Sequence, residues 1–280
     1  MSHGRLPISN LAVRTLSACV FVPALLLSVE LGGWPLLLLV LFIVGRGSWE
    51  FYQIAGQAGR RPLWVLGLLL ALGLCAWVNW LGTANLDLAI TAAALIVLSA
   101  ALVRGVREYT ANALLTLGGV IYLGLLGSAP LLIARAAGAE HRGEAGHLLA
   151  AIFLGIWLTD AVAYLCGRRW GRTKLAPGIS PGKTVVGLVT GLAGGMLPML
   201  VWPLWPLLPS FSLPVLAGLF LLISAGGQVG DLVESAIKRD MGVKDAPALI
   251  PGHGGALDRF DSYLFAFPLA YIYIRLWRVF

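Results

Sequence analysis

The densest polar block of this sequence runs from Ser235 to Asp261, SAIKRDMGVKDAPALIPGHGGALDRFD, and sets two lysines, two arginines, a histidine and four glycines among its aspartates. Asp231 stands one helical turn before Ser235, and Lys238 and Arg239 continue that face about one turn on. Asp258 and Asp261 are three apart and would share one side of a helix start. Mg²⁺ takes one or two carboxylates, waters and substrate phosphate oxygens. Asp231, Asp258 and Asp261 are therefore the candidate metal ligands. Lys238, Arg239, Lys244 and Arg259 would neutralise phosphate charge, the arginines in bidentate fashion. This composition suits phosphoryl or nucleotidyl transfer, where positioning and charge compensation do most of the catalysis. A helix N-terminus also stabilises an aspartate for purely structural reasons, which covers either of the later two taken alone. His253 between glycines suits a hydrogen-bonding anchor, a phosphate donor or a general acid. A serine hydrolase would set Ser235 or Ser262 beside His253, and the sequence has no GxSxG elbow to support that.

A second polar connector begins with Asp160 and Tyr164, four apart on one helix face, and continues GRRWGRTKLAPGISPGKT to Thr184. An aspartate at membrane depth is costly unless it is paired or faces water, so Asp160 is expected to point into a polar cavity. Pairing with a loop arginine is the structural alternative. Ser180, Lys183 and Thr184 bring hydroxyls and an ammonium to a flexible stretch before a helix, the elements of a phosphate cradle. The spacing departs from GxxxxGK[ST], so this is not a P-loop.

The elements that must carry these residues are membrane helices. The chain has 280 residues, 59% of them hydrophobic and only 12% charged, against roughly 25% charged in soluble domains. The expected fold is all-α, a polytopic integral membrane protein of about nine transmembrane helices, since a span takes roughly 20 apolar residues. The spans start near Thr15, Trp34, Trp64, Leu86, Asn112, Leu148, Thr184, Leu213 and Tyr263. They group as N-terminal helices 1–3 (residues 1–83), middle helices 4–5 (84–147) and C-terminal catalytic helices 6–9 with two polar loops (148–280). The first run follows Arg5 and Arg14 but lacks a small-residue cleavage site, so it reads as a retained helix.

Basic residues occupy alternate loops, which puts both polar blocks on the cytoplasmic side; Arg275 and Arg278 run against the pattern. The net charge of +7 therefore speaks for topology and anionic lipid rather than nucleic acid. Cys19, Cys75 and Cys166 lie in apolar runs without metal or disulfide spacing. Gly187, Gly191 and Gly195 form a small-residue face suited to close helix packing. A transporter with Asp160 and Asp231 as intramembrane ion sites is the alternative class, and the concentration of charge at one face argues against it.

The run from Asp231 to Asp261, with S-x-x-K-R-x-x-G-x-K-D, P-G-H-G-G and L-D-R-x-D, closely resembles the phosphatidate cytidylyltransferases, or CDP-diacylglycerol synthases. The upstream D-A-x-A-Y-x-x-G-R-x-x-G-x-x-K-L-A-P-x-I-S-P-x-K-T and Ser48-Trp-Glu-Phe-Tyr52 are similar to the same family. Val185 and Val186 depart from the aromatic and polar residues frequent there. The resemblance implies transfer of CMP from CTP to phosphatidic acid at a bacterial inner membrane, giving CDP-diacylglycerol and pyrophosphate. It implies Mg²⁺ on Asp231 and Asp258, with Asp261 as a further ligand or water-holder, and K⁺ as a second cation. By the same resemblance Lys238, Arg239, Lys244, His253 and Arg259 bind phosphates. Ser180, Lys183 and Thr184 cradle the nucleotide or pyrophosphate, Ser235 belongs to the substrate site, and Asp160 and Tyr164 line the approach. It also implies a homodimer. The nearest alternative is a CTP-dependent polyprenol or dolichol kinase-like enzyme, which would release CDP instead.

Overall fold

Inside a bilayer, amide and carbonyl groups find no water, so a long apolar run is stable there only as a helix or closed barrel. Helices dominate the computed structural model, which describes residues 10–201, 211–244 and 255–279. In chain order they are α1 (Asn10–Leu31), α2 (Gly33–Gln57), α3 (Trp64–Leu81), α4 (Leu86–Leu102) and α5 (Tyr109–Gly119). A π-helical stretch, Val120–Leu125, leads into α6 (Ala129–Ala137), followed by α7 (Arg142–Trp170). Two strands, β1 (Lys174–Ala176) and β2 (Ser180–Thr184), precede α8 (Val185–Gly195) and α9 (Pro198–Val201). The long α10 (Leu213–Asp240), a single turn α11 (Leu257–Phe260) and α12 (Tyr263–Leu276) complete the described chain.

Among the described residues, five helices are long and apolar enough to cross a membrane: Gly33–Gln57, Trp64–Leu81, Tyr109–Ala137, Arg142–Trp170 and Leu213–Asp240. The protein is thus a largely helical integral membrane protein. The other expected spans coincide with shorter helices: Cys19–Leu31, Leu86–Leu102, Val185–Leu200 and the 14-residue α12, which has Pro268 inside it. Length alone therefore carries five crossings, where the sequence suggested nine. The all-α expectation holds apart from one short hairpin, in which β1 and β2 pair antiparallel, Lys174 opposite Thr184 and Ala176 opposite Ser180. Prolines 177 and 181 and glycines 178 and 182 make this connector too poor a helix former to continue α7.

Helix ends show which loops share a face. The Trp34 and Trp80 rings meet edge to face at 6.1 Å, Arg135 donates to the Asn79 carbonyl at 2.8 Å, and Glu30 holds His147 at 2.7 Å. The α1–α2, α3–α4 and α6–α7 connections therefore lie together. At the other end, Arg61 N–H donates to Asn112 Oδ1 at 2.8 Å, Arg104 donates to the Arg61 carbonyl at 3.0 Å, and Arg239 donates to the Ile179 carbonyl at 3.2 Å.

Small residues let the functional helices touch. A Cβ on Gly195 would collide with Ser224 Oγ and Thr159 Oγ1, so α8 packs directly on α7 and α10. The Gly187, Gly191 and Gly195 face is thus a packing face. Buried Phe153, Tyr263 and Phe267 stack around one another, with Phe153–Phe267 and Tyr263–Phe267 centroids 4.8 Å apart, and fix α12 against α7. The outer surface is apolar, with Leu27, Trp34, Leu38 and Leu69 all mostly exposed. Lipid chains cover such a surface without the hydrophobic penalty that water would impose.

Candidate active site

The polar ends of α7, α10 and α11 enclose, with the β1–β2 hairpin, a cavity of about 910 Å³. Its wall contains Asp160 and Tyr164 from α7, Ser180, Lys183 and Thr184 from β2, Asp231 from α10, Asp258 and Arg259 from α11, and Asp261 just beyond. These nine sequence candidates, drawn from positions up to a hundred residues apart, therefore line one space. Phe21, Val22, Leu25 and Trp157 supply an apolar part of the same wall.

Packing explains the convergence. Gly230 has no side chain, and a Cβ there would sit 2.6 Å from the Asp261 carbonyl. The backbone after α11 therefore approaches α10 directly beside Asp231. Lys183 Nζ reaches Asp231 Oδ2 at 2.9 Å, which ties the hairpin to α10. Ser235 Oγ donates to Asp231 Oδ1 at 3.3 Å. Lys238 Nζ bridges Glu234 Oε2 at 2.7 Å and Asp258 Oδ1 at 2.6 Å, which ties α10 to α11.

The electrostatics are divided. Burial works to raise the pKa of Asp258, but hydrogen bonds with Glu234 and Lys238 and the lysine charge overcome it and hold the carboxyl below its ordinary value. Asp261 goes the other way: burial first, then the charge of Asp231, hold its pKa well above the carboxylate range. Among the described residues no three His, Cys, Asp or Glu side chains form a ready metal cage. A cation held by one or two carboxylates and substrate phosphates does not require one. The donor set here is all oxygen, which fits a hard cation such as Mg²⁺.

Several expectations are changed by the geometry. Asp258 and Asp261 do not share the start of the last long helix: Asp258 lies in the separate turn α11, and Asp261 follows in the link to α12. Thr184 is buried and its hydroxyl accepts the Gly187 N–H at 3.1 Å, capping α8, which leaves only its O–H to donate into the cavity. Ser180 and Lys183 are strand residues rather than part of a flexible loop. Lys238 stands behind the cavity wall as a bridge, Arg239 is exposed and bonded to the hairpin, and Lys244 is exposed beyond α10. His253 lies outside the described residues.

The structure also brings in residues that sequence reasoning missed. Gln228 lines the cavity, and its carbonyl accepts from Lys183 at 3.4 Å. Arg168 and Lys174, read as part of a basic topology signal, line it as well. Glu234, in α10, is almost wholly buried. A charge inside an apolar run was the available signal for Glu234.

Residues 12–277 match the cytidylyltransferase family. A phosphatidate cytidylyltransferase of Staphylococcus saprophyticus is 36% identical over 270 residues, covering 92% of this chain and 96% of that protein. Phosphatidate cytidylyltransferases of Staphylococcus aureus (strain COL) and Staphylococcus haemolyticus are 48% identical over 133 residues and 45% over 131. Each of these two alignments covers 46% of this chain; the chain spans about half the length of these relatives, 50% and 49%. With a match across nearly its whole length, the chain belongs to the cytidylyltransferase family.

Proposed function

We propose that this protein is a phosphatidate cytidylyltransferase: it transfers CMP from CTP to phosphatidic acid, giving CDP-diacylglycerol and pyrophosphate. The observation that carries this reading is a cavity whose wall combines charged residues with an apolar part, suited to a nucleotide and a lipid phosphate with acyl tails. The family match and the names of the relatives support it. An oxygen of the lipid phosphate attacks the α-phosphorus of CTP, and the bond to the bridging oxygen of the leaving pyrophosphate breaks. The nucleophile is already an anion, so no side chain need take a proton from it.

In this reading the chain's residues position and neutralise. Lys183, Arg168, Lys174 and Arg259 face the phosphates, Ser180 adds a hydroxyl, and Asp160 and Tyr164 line the approach. Asp231 and Asp258, with Asp261, would hold Mg²⁺, with K⁺ beside it, and bound Mg²⁺ would supply charge neutralisation at the phosphate oxygens. Lys238 keeps Asp258 ionised, while Arg239 and Lys244 stand at the rim. The site faces the cytoplasm of a bacterial inner membrane across nine crossings, supported by the crowding of basic residues at the cavity end. The homodimer remains part of the proposal through the resemblance alone.

The test is direct. Full-length protein in detergent, given Mg²⁺, radiolabelled CTP and phosphatidic acid, should release pyrophosphate and carry label into chloroform-soluble lipid. Release of CDP with a polyprenol acceptor would instead support the kinase-like alternative. Asp231→Asn and Asp258→Asn should each lower turnover by more than a hundredfold while the protein still folds and inserts, with some fall in melting temperature from the lost ion pairs; near-normal rates would remove their roles. Particle mass in detergent reads the dimer.

A further inference from the structure

Glu50 is a fully buried carboxylate in α2, far in sequence from every charged residue of the cavity. Its two oxygens have separate partners. Oε1 accepts from Arg46 Nη2 at 2.8 Å, an i,i+4 pair along α2, and the Arg46 guanidinium lies 4.5 Å from the centre of the Trp49 ring. Oε2 accepts the backbone N–H of Leu257 at 2.7 Å, across 207 positions of sequence. Leu257 is the first residue of α11, the turn that carries Asp258 and Arg259.

That turn has few means of holding itself. Four residues form a single turn, and one turn fixes more backbone freedom than its internal hydrogen bonds repay. Ala256 at its N-cap makes no side-chain capping bond. The donor left open at the start of α11 is met by Glu50, a charge-assisted bond of the stronger kind. Leu257 is buried on the same side, where a Cβ on Gly47 would come within 3.9 Å of its Cδ1. Lys238 then holds Asp258 from α10. The turn is clamped between α2 and α10, with Phe260 packed edge to face on Phe21 of α1 at 6.0 Å.

We propose that Glu50 is a positioning residue for the transfer: its bond to the Leu257 amide seats α11 so that Asp258 and Arg259 face the cavity. The role rests on the activity proposed above and gives the N-terminal half of the chain a part in it. Glu50 touches no substrate, and Arg46 holds its other oxygen and so orients the carboxylate.

Two double variants of the full-length protein separate positioning from bulk stability. Arg46→Met with Glu50→Gln removes both charges yet keeps an oxygen to accept the Leu257 N–H. Arg46→Met with Glu50→Leu removes the acceptor too, and hydrophobic replacement of a buried pair is often neutral for stability. The readouts are pyrophosphate release, melting temperature, and amide hydrogen exchange at Leu257–Phe260 in detergent. The Gln variant should keep kcat and exchange within about threefold of wild type. The Leu variant should melt near wild type but exchange at least tenfold faster in α11 and lose at least tenfold in kcat, with the KM for phosphatidic acid little moved. Equal exchange in the two variants, equal loss of rate in both, or full turnover in a variant whose α11 has loosened would each overturn the proposal. If wild type releases no pyrophosphate, the cytidylyltransferase reading falls, and the exchange comparison still decides whether Glu50 seats α11.

Discussion

At Asp261 the folded chain holds a carboxyl in a place that resists its charge. Burial and then the neighbouring Asp231 raise its pKa above the ordinary range. The unfolded chain releases that proton near pH 4, so above this pH the unfolded state binds fewer protons than the folded one. Stability contributed here is therefore present at low pH and lost as pH rises. Asp261→Asn should raise the melting temperature of the metal-free protein, by more at pH 8 than at pH 5. If wild type and variant show parallel melting profiles across that range, the electrostatic argument for Asp261 is wrong. Asp258 has the opposite sign, since Lys238 and Glu234 hold its pKa down, and its contribution is lost on acidification. One carboxylate of the site is thus stabilised by its surroundings and another is strained by them. A bound cation would relieve the second.

The elements divide into those announced by pattern and those made by contact. Apolar runs located α2, α3, α7 and α10 because length and composition suffice to specify a membrane helix. The β1–β2 hairpin was not legible, since Ser180-Pro-Gly-Lys-Thr reads equally as a loop until Lys174 and Ala176 pair with it. The break between α11 and α12 was missed for a similar reason: the run after Leu257 has no helix breaker at Asp261, and the separation follows from how Asp261 meets Gly230. The candidate aspartates were found because charge in an apolar chain is conspicuous. Glu50 was passed over within a motif because its partner is a backbone amide, which no residue type reveals. The small-residue stripe of α8 was legible as packing, and it yields a prediction. Gly195→Ala would force a Cβ into Ser224 and Thr159, at a cost of about 1–3 kcal/mol for overpacking. The variant should melt lower and turn over more slowly, because α8 follows directly on the strand that carries Lys183. Gly178→Ala, where nothing lies within 4 Å of a Cβ, should change neither, and equal melting of the two variants would show that the α7–α8 contact is not so tight.

At the scale of the whole molecule, contacts at the helix ends bear on which segments cross. Contacts at the ends alternate: α1–α2, α3–α4 and α6–α7 connections lie together, while Arg61, Arg104 and Asn112 gather the α2–α3 and α4–α5 connections at the opposite end. That alternation requires α4 to run from one end of the bundle to the other. Its 17 residues span roughly 25 Å at 1.5 Å per residue, a little under the roughly 30 Å of hydrocarbon. A short span is accommodated by local thinning at modest cost, so α4 should cross, placing Thr83 and Val106 on opposite sides. Both positions are exposed in connecting segments. In a background lacking Cys19, Cys75 and Cys166, Thr83→Cys should react with a membrane-impermeant maleimide in right-side-out vesicles, and Val106→Cys only in inverted ones. Labelling of both from one side would mean that α4 dips into the bilayer and returns. The alternation of basic loops would then fail at its second step, and the cytoplasmic orientation of the cavity would lose its support.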